Sequence, residues 1–415
     1  MRRLLKPLFG KKVFGAIFLL FQLALLVLPI LGVYERQIYI DFVAGILSII
    51  VIIFEINRET DSGFKLIWIA IIAIFPVFGV FLYIYVHSDV IMLNIKRRTG
   101  FMNVKVSKAT DKMGESTQSL RDNAGDEAGI FRYLANAAQA PCFKGGNMEY
   151  FPLGEDMFAR VMDDIEKASR YVFLEFFIIN ESDYMWQSLF SLLCQKAAEG
   201  VEVRIIYDAM GCLTTVGQDF AERVRSKGIK CYPFSPVKPF VSTYHNNRDH
   251  RKMVIIDGIC AYTGGVNIAD EYINRKVRFG HWKDTAIRID GESVAGFLLM
   301  YFKLWKLVCP DSEDYSGFWD IKAAQGEGGY VVPFDDTPWD TECVTRNLYL
   351  HIINSAKDYV YINTPYLILD DALIQSLKFA VQRGVDVRIC MPHIPDKWYA
   401  FALGRSYYPE LIRSG

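Results

Sequence analysis

The sequence predicts an α/β protein in which a half of alternating strands and helices is duplicated, the second copy is incomplete, and transmembrane helices precede both. Three observations carry this reading. Apolar runs of bilayer-spanning length fill residues 13–86. From residue 157 onward, segments of helical and of strand period alternate, which favours a mostly parallel sheet covered by helices. Two segments also recur in the same order. Ala168-Ser169-Arg170-Tyr171-Val172 returns 188 residues later as Ala356-Lys357-Asp358-Tyr359-Val360. Gly200-Val201-Glu202-Val203-Arg204-Ile205 returns 184 residues later as Gly384-Val385-Asp386-Val387-Arg388-Ile389, the mark of an internal repeat.

Composition narrows the function. Of 415 residues, 46 Lys and Arg oppose 47 Asp and Glu, a net charge of −1. A protein built to grip a nucleic-acid backbone shows a basic excess, so no nucleic-acid partner is expected. Hydrophobic residues make up 52% of the chain, which excludes wholesale disorder. The eight cysteines contain no C-x-x-C pair, which excludes a zinc ribbon or a dithiol redox motif, and no disulfide framework is expected in so long a chain.

In chain order, the first apolar run is 13–33, with Gln22 its one polar member. The second is 38–56, with Asp41 and Glu55 near its ends, and the third is 66–86, uncharged but holding Pro76 and Gly79. At about 1.5 Å per residue, 21 helical residues cover the roughly 30 Å of hydrocarbon. A signal peptide has a shorter apolar core and no further spans behind it. The expectation is a multi-pass protein of the cell membrane. Arg2, Arg3, Lys6, Lys11 and Lys12 favour an inside N-terminus. Three full crossings would then put the rest of the chain outside, against Lys96, Arg97 and Arg98; a re-entrant 76–79 segment would keep it inside.

Residues 87–145 read as a connector, polar from 107 to 128. The first α/β half is placed at 146–310: a helix over 158–168, a strand over 171–179, a helix over 186–198 and a strand from 201. Tyr301-Phe302-Lys303-Leu304-Trp305-Lys306 reads as an amphipathic helix with an aromatic core face, the alternative being contact with lipid head groups. The partial second half is placed at 335–415.

The chemistry falls in one cluster, His250-Arg251-Lys252-Met253-Val254-Ile255-Ile256-Asp257-Gly258, followed by Gly264-Gly265-Val266-Asn267. On extended chain, positions 250 and 252 share a face, so an imidazole neighbours an ammonium. That pair suits attack on a phosphodiester: the imidazole is nucleophilic near neutral pH, and the cation holds the developing oxygen charge. Asn267 could donate a further hydrogen bond to the same oxygens. Asp257 has the opposite parity and forms a hairpin-turn dipeptide with Gly258, so its expected role is mainly architectural. Asp284 is the better candidate for the acid that orients the imidazole; Glu175 and Asp208 are weaker ones. The histidines show no metal-ligand spacing and no glycine-rich nucleotide loop is present, so neither metal nor cofactor is expected.

This cluster resembles the H-x-K-x4-D signature of the phospholipase D superfamily, and within it bacterial cardiolipin synthases. The resemblance extends over Asn57-Arg58-Glu59, the segment from Pro76 to Tyr83, Leu174-Glu175-Phe176-Phe177-Ile178, Tyr207-Asp208-Ala209-Met210-Gly211, Trp282-Lys283-Asp284-Thr285, Asn363-Thr364-Pro365-Tyr366 and Arg405-Ser406-Tyr407-Tyr408. It implies the superfamily's α/β fold and a phosphatidyltransferase that joins two phosphatidylglycerol molecules into cardiolipin and glycerol through a phosphohistidine, with His250, Lys252, Asp257, Asn267 and Asp284 as site residues and membrane lipids as partners. Many superfamily members have Gly-Ser where this chain has Gly264-Gly265. A hydrolytic phospholipase D, a membrane-tethered nuclease and a non-catalytic lipid-binding protein are the alternatives.

The superfamily places two such motifs face to face, and this sequence has one. His250 lies 22 residues after Gly228; Gly415 occupies the matching place in the second copy, so a second motif is expected near position 437 of a longer polypeptide. A homodimer sharing its single motifs is the alternative.

Overall fold

The computed structural model describes residues 37–87 (except 59 and 61), 120, 125–236, 247–322 (except 310 and 312), 329–337 and 342–415. The chain divides into two units, residues 1–95 with 235–248, and residues 96–234 with 249–415.

In the first unit, α1 (Gln37–Ile56), α2 (Ser62–Ile74) and α3 (Pro76–His87) pack together. The 66–86 run, expected as one spanning helix, is two. Pro76 has no N–H to continue a helix but suits its first position, and Phe75 closes α2 by donating to the Ile71 carbonyl at 3.0 Å. The chain then doubles back: Trp68 meets Tyr83 edge-on at 5.3 Å, and a Cβ on Gly79 would lie 2.7 Å from the Ile72 Cα, an approach only glycine allows. Helices of 13 and 12 residues are about 20 Å and 18 Å long, well short of the hydrocarbon thickness. Among the described residues no helix is long and apolar enough to cross a membrane. The 13–33 run lies outside the described residues. At the open end of the hairpin, buried Glu55 accepts from Tyr83 Oη (2.7 Å) and Arg58 (3.1 Å), and Arg58 meets His87 Nε2 at 2.6 Å.

In the second unit, part of the expected connector is helical, α4 (Ala128–Ala137). A short pair, β1 (Phe143–Lys144) with β9 (Tyr330–Val331), stands apart from the main sheet. That sheet has seven strands: β2 (Met148–Phe151), β3 (Tyr171–Phe176), β4 (Glu202–Asp208), β5 (Lys230–Phe234), β6 (Met253–Ile256), β7 (Cys260–Gly264) and β8 (Ala286–Asp290), in the order β2-β8-β7-β6-β3-β4-β5. Only β3–β4 and β4–β5 pair in parallel, and the other four pairings are antiparallel. The expected mostly parallel sheet is therefore mixed. The reason is local: Asp257, at φ 55°, and Gly258, at φ 69°, form a tight turn that folds β6 back into β7.

Alternation along β3 separates two cores. Val172, Leu174 and Phe176 face α5 (Gly154–Glu166), α6 (Tyr184–Ala198) and α7 (Phe220–Arg225). Tyr171 and Phe173 face α8 (Val294–Val308), whose Tyr301, Phe302 and Trp305 are fully buried. Those aromatics belong to the core, which removes the lipid-contact alternative. Buried Arg204 lies 4.9–5.2 Å from the rings of Phe173, Trp305 and Phe318 and pairs with Glu202 and Glu313.

The remaining elements are α9 (Val344–Ser355), β10 (Tyr359–Asn363), α10 (Asp371–Gln382), β11 (Asp386–Cys390), α11 (Trp398–Ser406) and α12 (Tyr408–Ser414). Strands β10 and β11 pair in parallel with Tyr359 opposite Asp386, as β3 and β4 pair with Tyr171 opposite Glu202. The repeat seen in the sequence is a repeat of register.

Candidate active site

The motif precedes β6 as extended chain, and the strand ladder begins at Met253. His250 keeps an exposed edge, while its ring packs 4.8 Å from that of Phe177 and is partly desolvated there. Desolvation, and then the charge of Lys252, lower its pKa to about 4. Near neutral pH the imidazole is a free base. Lys252 is buried, donates to the His250 carbonyl, and lies 5.5 Å from the Phe177 ring centroid. Burial lowers its pKa to about 8, against the opposing charges of Asp249 and Asp284.

Asp284 hangs over Gly265. A Cβ at position 265 would lie 1.8 Å from Asp284 Oδ1, which explains a second glycine where serine is common in the superfamily. Burial raises the Asp284 pKa. Its carboxylate accepts from Thr285 N (3.1 Å) and Trp282 Nε1 (3.3 Å). Its charge is felt at Lys252, whereas Asp249 is the acid felt at His250. Among the described residues the His250 ring has no hydrogen-bond partner, so the expected Asp284–His250 bond is absent from this geometry.

Asn267 is buried, accepts from Ile178 N (3.0 Å) and donates to Tyr272 Oη (2.8 Å). Its oxygen and one amide hydrogen hold the β3 exit in place, which leaves a single N–H for a ligand. Asp257 lies at the far end of β6 from His250. Its carboxylate accepts from the backbone of Ser169 (2.7 Å), Arg170 (2.9 Å) and Tyr171 (2.7 Å), fixing the turn to the start of β3. As a reacting group it is displaced from His250 by seven residues of extended chain, roughly 23 Å.

Sequence reasoning missed Arg251, which points to the opposite face. It pairs with Glu175 (2.7 Å), Asp249 (3.1 Å) and Asp335 (2.8 Å), and so anchors the chain between His250 and Lys252. Fully buried Glu175 has its pKa raised well above the ordinary range by desolvation. Asp208 accepts from the backbone of Met210, Gly211 and Asp249, and thus holds the approach to the motif. The signal for Arg251 was available: four consecutive polar residues, 249–252, run directly into an apolar strand. Lys397, from the repeated part, also bears on His250 electrostatically, and nothing in its local sequence marks it.

A cavity of about 420 Å³ opens beside the motif, lined by Met148, Ile287, Ile289, Phe297, Met300 and the 330–334 segment. Among the described residues no cluster of His, Cys, Asp and Glu could hold a metal ion.

The arrangement suits phosphodiester transfer, and comparison with known proteins identifies the family. The family described as cardiolipin synthase, PLD-like domain matches residues 161–302 and 349–415, and the phospholipase D-nuclease N-terminal family matches 44–86. An uncharacterised protein of Streptococcus mutans is 41% identical over 377 residues, 88% of this chain and 79% of that one. A cardiolipin synthase of Geobacillus kaustophilus is 31% identical over 379 residues, covering 89% and 74%. Among solved structures, phosphatidylserine synthase of Haemophilus influenzae aligns at 15% identity with a TM-score of 0.46, covering 68% of this chain and 72% of that one. The chain belongs to the cardiolipin synthase family of phospholipase D-like proteins, and is a phosphatidyltransferase.

Proposed function

We propose that this protein supplies one half of the active site of a membrane-bound cardiolipin synthase. A His250 ring nitrogen attacks the phosphorus of one phosphatidylglycerol, the bond to the glycerol oxygen breaks, and a phosphohistidine forms. The leaving oxygen takes a proton from a general acid. A second phosphatidylglycerol gives its hydroxyl proton back to that same group, now a base, its oxygen attacks phosphorus, and the P–N bond breaks to release cardiolipin and the free imidazole. Lys252 holds the phosphate oxygens, and the remaining Asn267 N–H is in place to do the same. Asp284 sets the charge around Lys252. The general acid is a second histidine, which a second H-x-K motif would supply.

The observation that supports this best is a partly desolvated free-base imidazole beside a buried ammonium, at a cavity of about 420 Å³ whose wall away from Arg251 and Lys252 is apolar. That apolar lining suits a phospholipid over a water-soluble diester. The site works at a membrane, consistent with the apolar N-terminal runs. The test is to extend the chain at its C-terminus with an H-x-K-bearing segment from a relative and to supply phosphatidylglycerol vesicles. Cardiolipin and glycerol in equal amounts are expected. Phosphatidic acid without cardiolipin would make the enzyme a hydrolase, and unchanged lipid would leave a binding protein.

A further inference from the structure

We infer that the α2–α3 hairpin is a re-entrant membrane element, which dips into one leaflet and returns to the face it entered. The inference rests on the membrane reading above. Both ends of the hairpin lie at one level. The α3 end is latched to the α1 end by Arg58, which reaches His87 Nε2 at 2.6 Å and Glu55 at 3.1 Å, and Tyr83 Oη closes the same cluster on Glu55 at 2.7 Å. Lys65, at the start of α2, donates to the Ile56 carbonyl at 3.0 Å. The tip lies partway along α1, where Ser48 Oγ approaches the Pro76 carbonyl at 3.5 Å. Eight residues separate Ser48 from Ile56, about 12 Å at helical rise, and the arms themselves are only about 18–20 Å long, so the tip falls short of crossing a roughly 30 Å hydrocarbon layer.

The surface fits lipid. Phe42, Ile46, Ile49, Ile50, Ile53 and Phe54 of α1 are exposed, as are Leu66, Ile67 and Ile74 of α2 and Phe81 and Ile84 of α3, while the charged cluster sits only at the open end. Charge distribution supports the same occupant. A hairpin that returns puts Arg58 and Lys65 on the same side as Lys96, Arg97 and Arg98, where cytoplasmic positive charge belongs. A hairpin that crosses would split them.

Thr60→Cys, Phe75→Cys and Ser88→Cys, each in the full chain in sealed vesicles of either orientation, test this with a membrane-impermeant maleimide. Labelled peptides are located by mass spectrometry, which separates them from the eight native cysteines. Cys at 60 and 88 should label from one and the same face, and Cys at 75 only after detergent. Labelling of 60 and 88 from opposite faces overturns the re-entrant path and leaves membrane insertion standing. Labelling of 75 without detergent, together with both others, overturns insertion itself.

Discussion

His250 is kept neutral by its surroundings, and the sign of its titration follows. Its folded pKa, about 4, lies below the ordinary 6.5. Between those values the unfolded chain binds the proton that the folded chain refuses. Stability from this group therefore rises with pH through that window and is complete above it. A histidine-selective NMR titration should give His250, assigned by loss of its signal in His250→Ala, a midpoint near 4. Lys252→Met should raise that midpoint but not restore 6.5, because burial is the larger cause and the ammonium the second. A midpoint of 6.5 in the unaltered protein would contradict the geometry. At Gly265 the prediction is steric. Gly265→Ala places a methyl 1.8 Å from Asp284 Oδ1 and forces that carboxylate aside. A loss of about 1–3 kcal/mol in denaturant unfolding is expected, and Asp284→Gly in the same chain should recover part of it.

At the scale of elements, two arginines with equal places in the repeat have opposite fates. Arg204 on β4 is buried against Phe173, Trp305 and Phe318 and paired with Glu202 and Glu313; Arg388 on β11 is exposed and pairs with Asp386. Removing one partner of a buried ion pair costs about 3–5 kcal/mol. An exposed pair contributes about 0–1 kcal/mol. Arg204→Met should accordingly lower unfolding stability by several kcal/mol while Arg388→Met changes it little, and equal effects would refute this assignment of the core. Asp257→Ala orphans three backbone N–H groups at the head of β3, and about 3 kcal/mol or more should go with it. The sequence showed the repeat, the strand parity and the Asp257 turn because each is encoded within a few residues. It did not show that α8 seals one copy, nor that the antiparallel strands outnumber the parallel pairs, since both depend on contacts between segments far apart in the chain. Asp284 was reached through the superfamily resemblance, which implies an acid about thirty residues past the motif histidine, but its seat over Gly265 appears only once β7 and β8 pair.

For the whole molecule, the proposed mechanism needs a general acid besides His250, and these 415 residues hold a single H-x-K-x4-D motif. The 415-residue chain given phosphatidylglycerol should form little or no cardiolipin, because loss of a general acid alone costs about 10²–10⁴ in rate, and groups that act as a unit do not lose activity additively. His250→Ala should then change nothing measurable in this chain, yet abolish turnover once a second H-x-K is supplied. Product analysis by mass spectrometry decides. Robust synthesis by the unextended chain, with an apparent mass of two copies, would instead establish a dimer in which each His250 serves the other. The N-terminal runs read as membrane spans from composition, but composition did not show that Pro76 splits the third run into two helices too short to cross, a fold that depends on Gly79 permitting two backbones to touch.

The bend that leads into the second strand of each copy carries one further consequence. Gly200 at φ 92° and Gly384 at φ 89° each turn a helix end into a strand. In both, the following valine donates back to a helix carbonyl, Val201 to Lys196 at 3.0 Å and Val385 to Ala380 at 3.1 Å. The next residue reaches the chain just ahead of the first strand, Glu202 to Arg170 and Asp386 to Asp358, at 2.9 Å in each case. Two stretches that share these backbone bonds are interchangeable parts. A chimera with Arg383-Gly384-Val385-Asp386 transplanted over Glu199-Gly200-Val201-Glu202 should fold with the ladder of the first copy intact, and the hinge of one half can serve as a spare for the other.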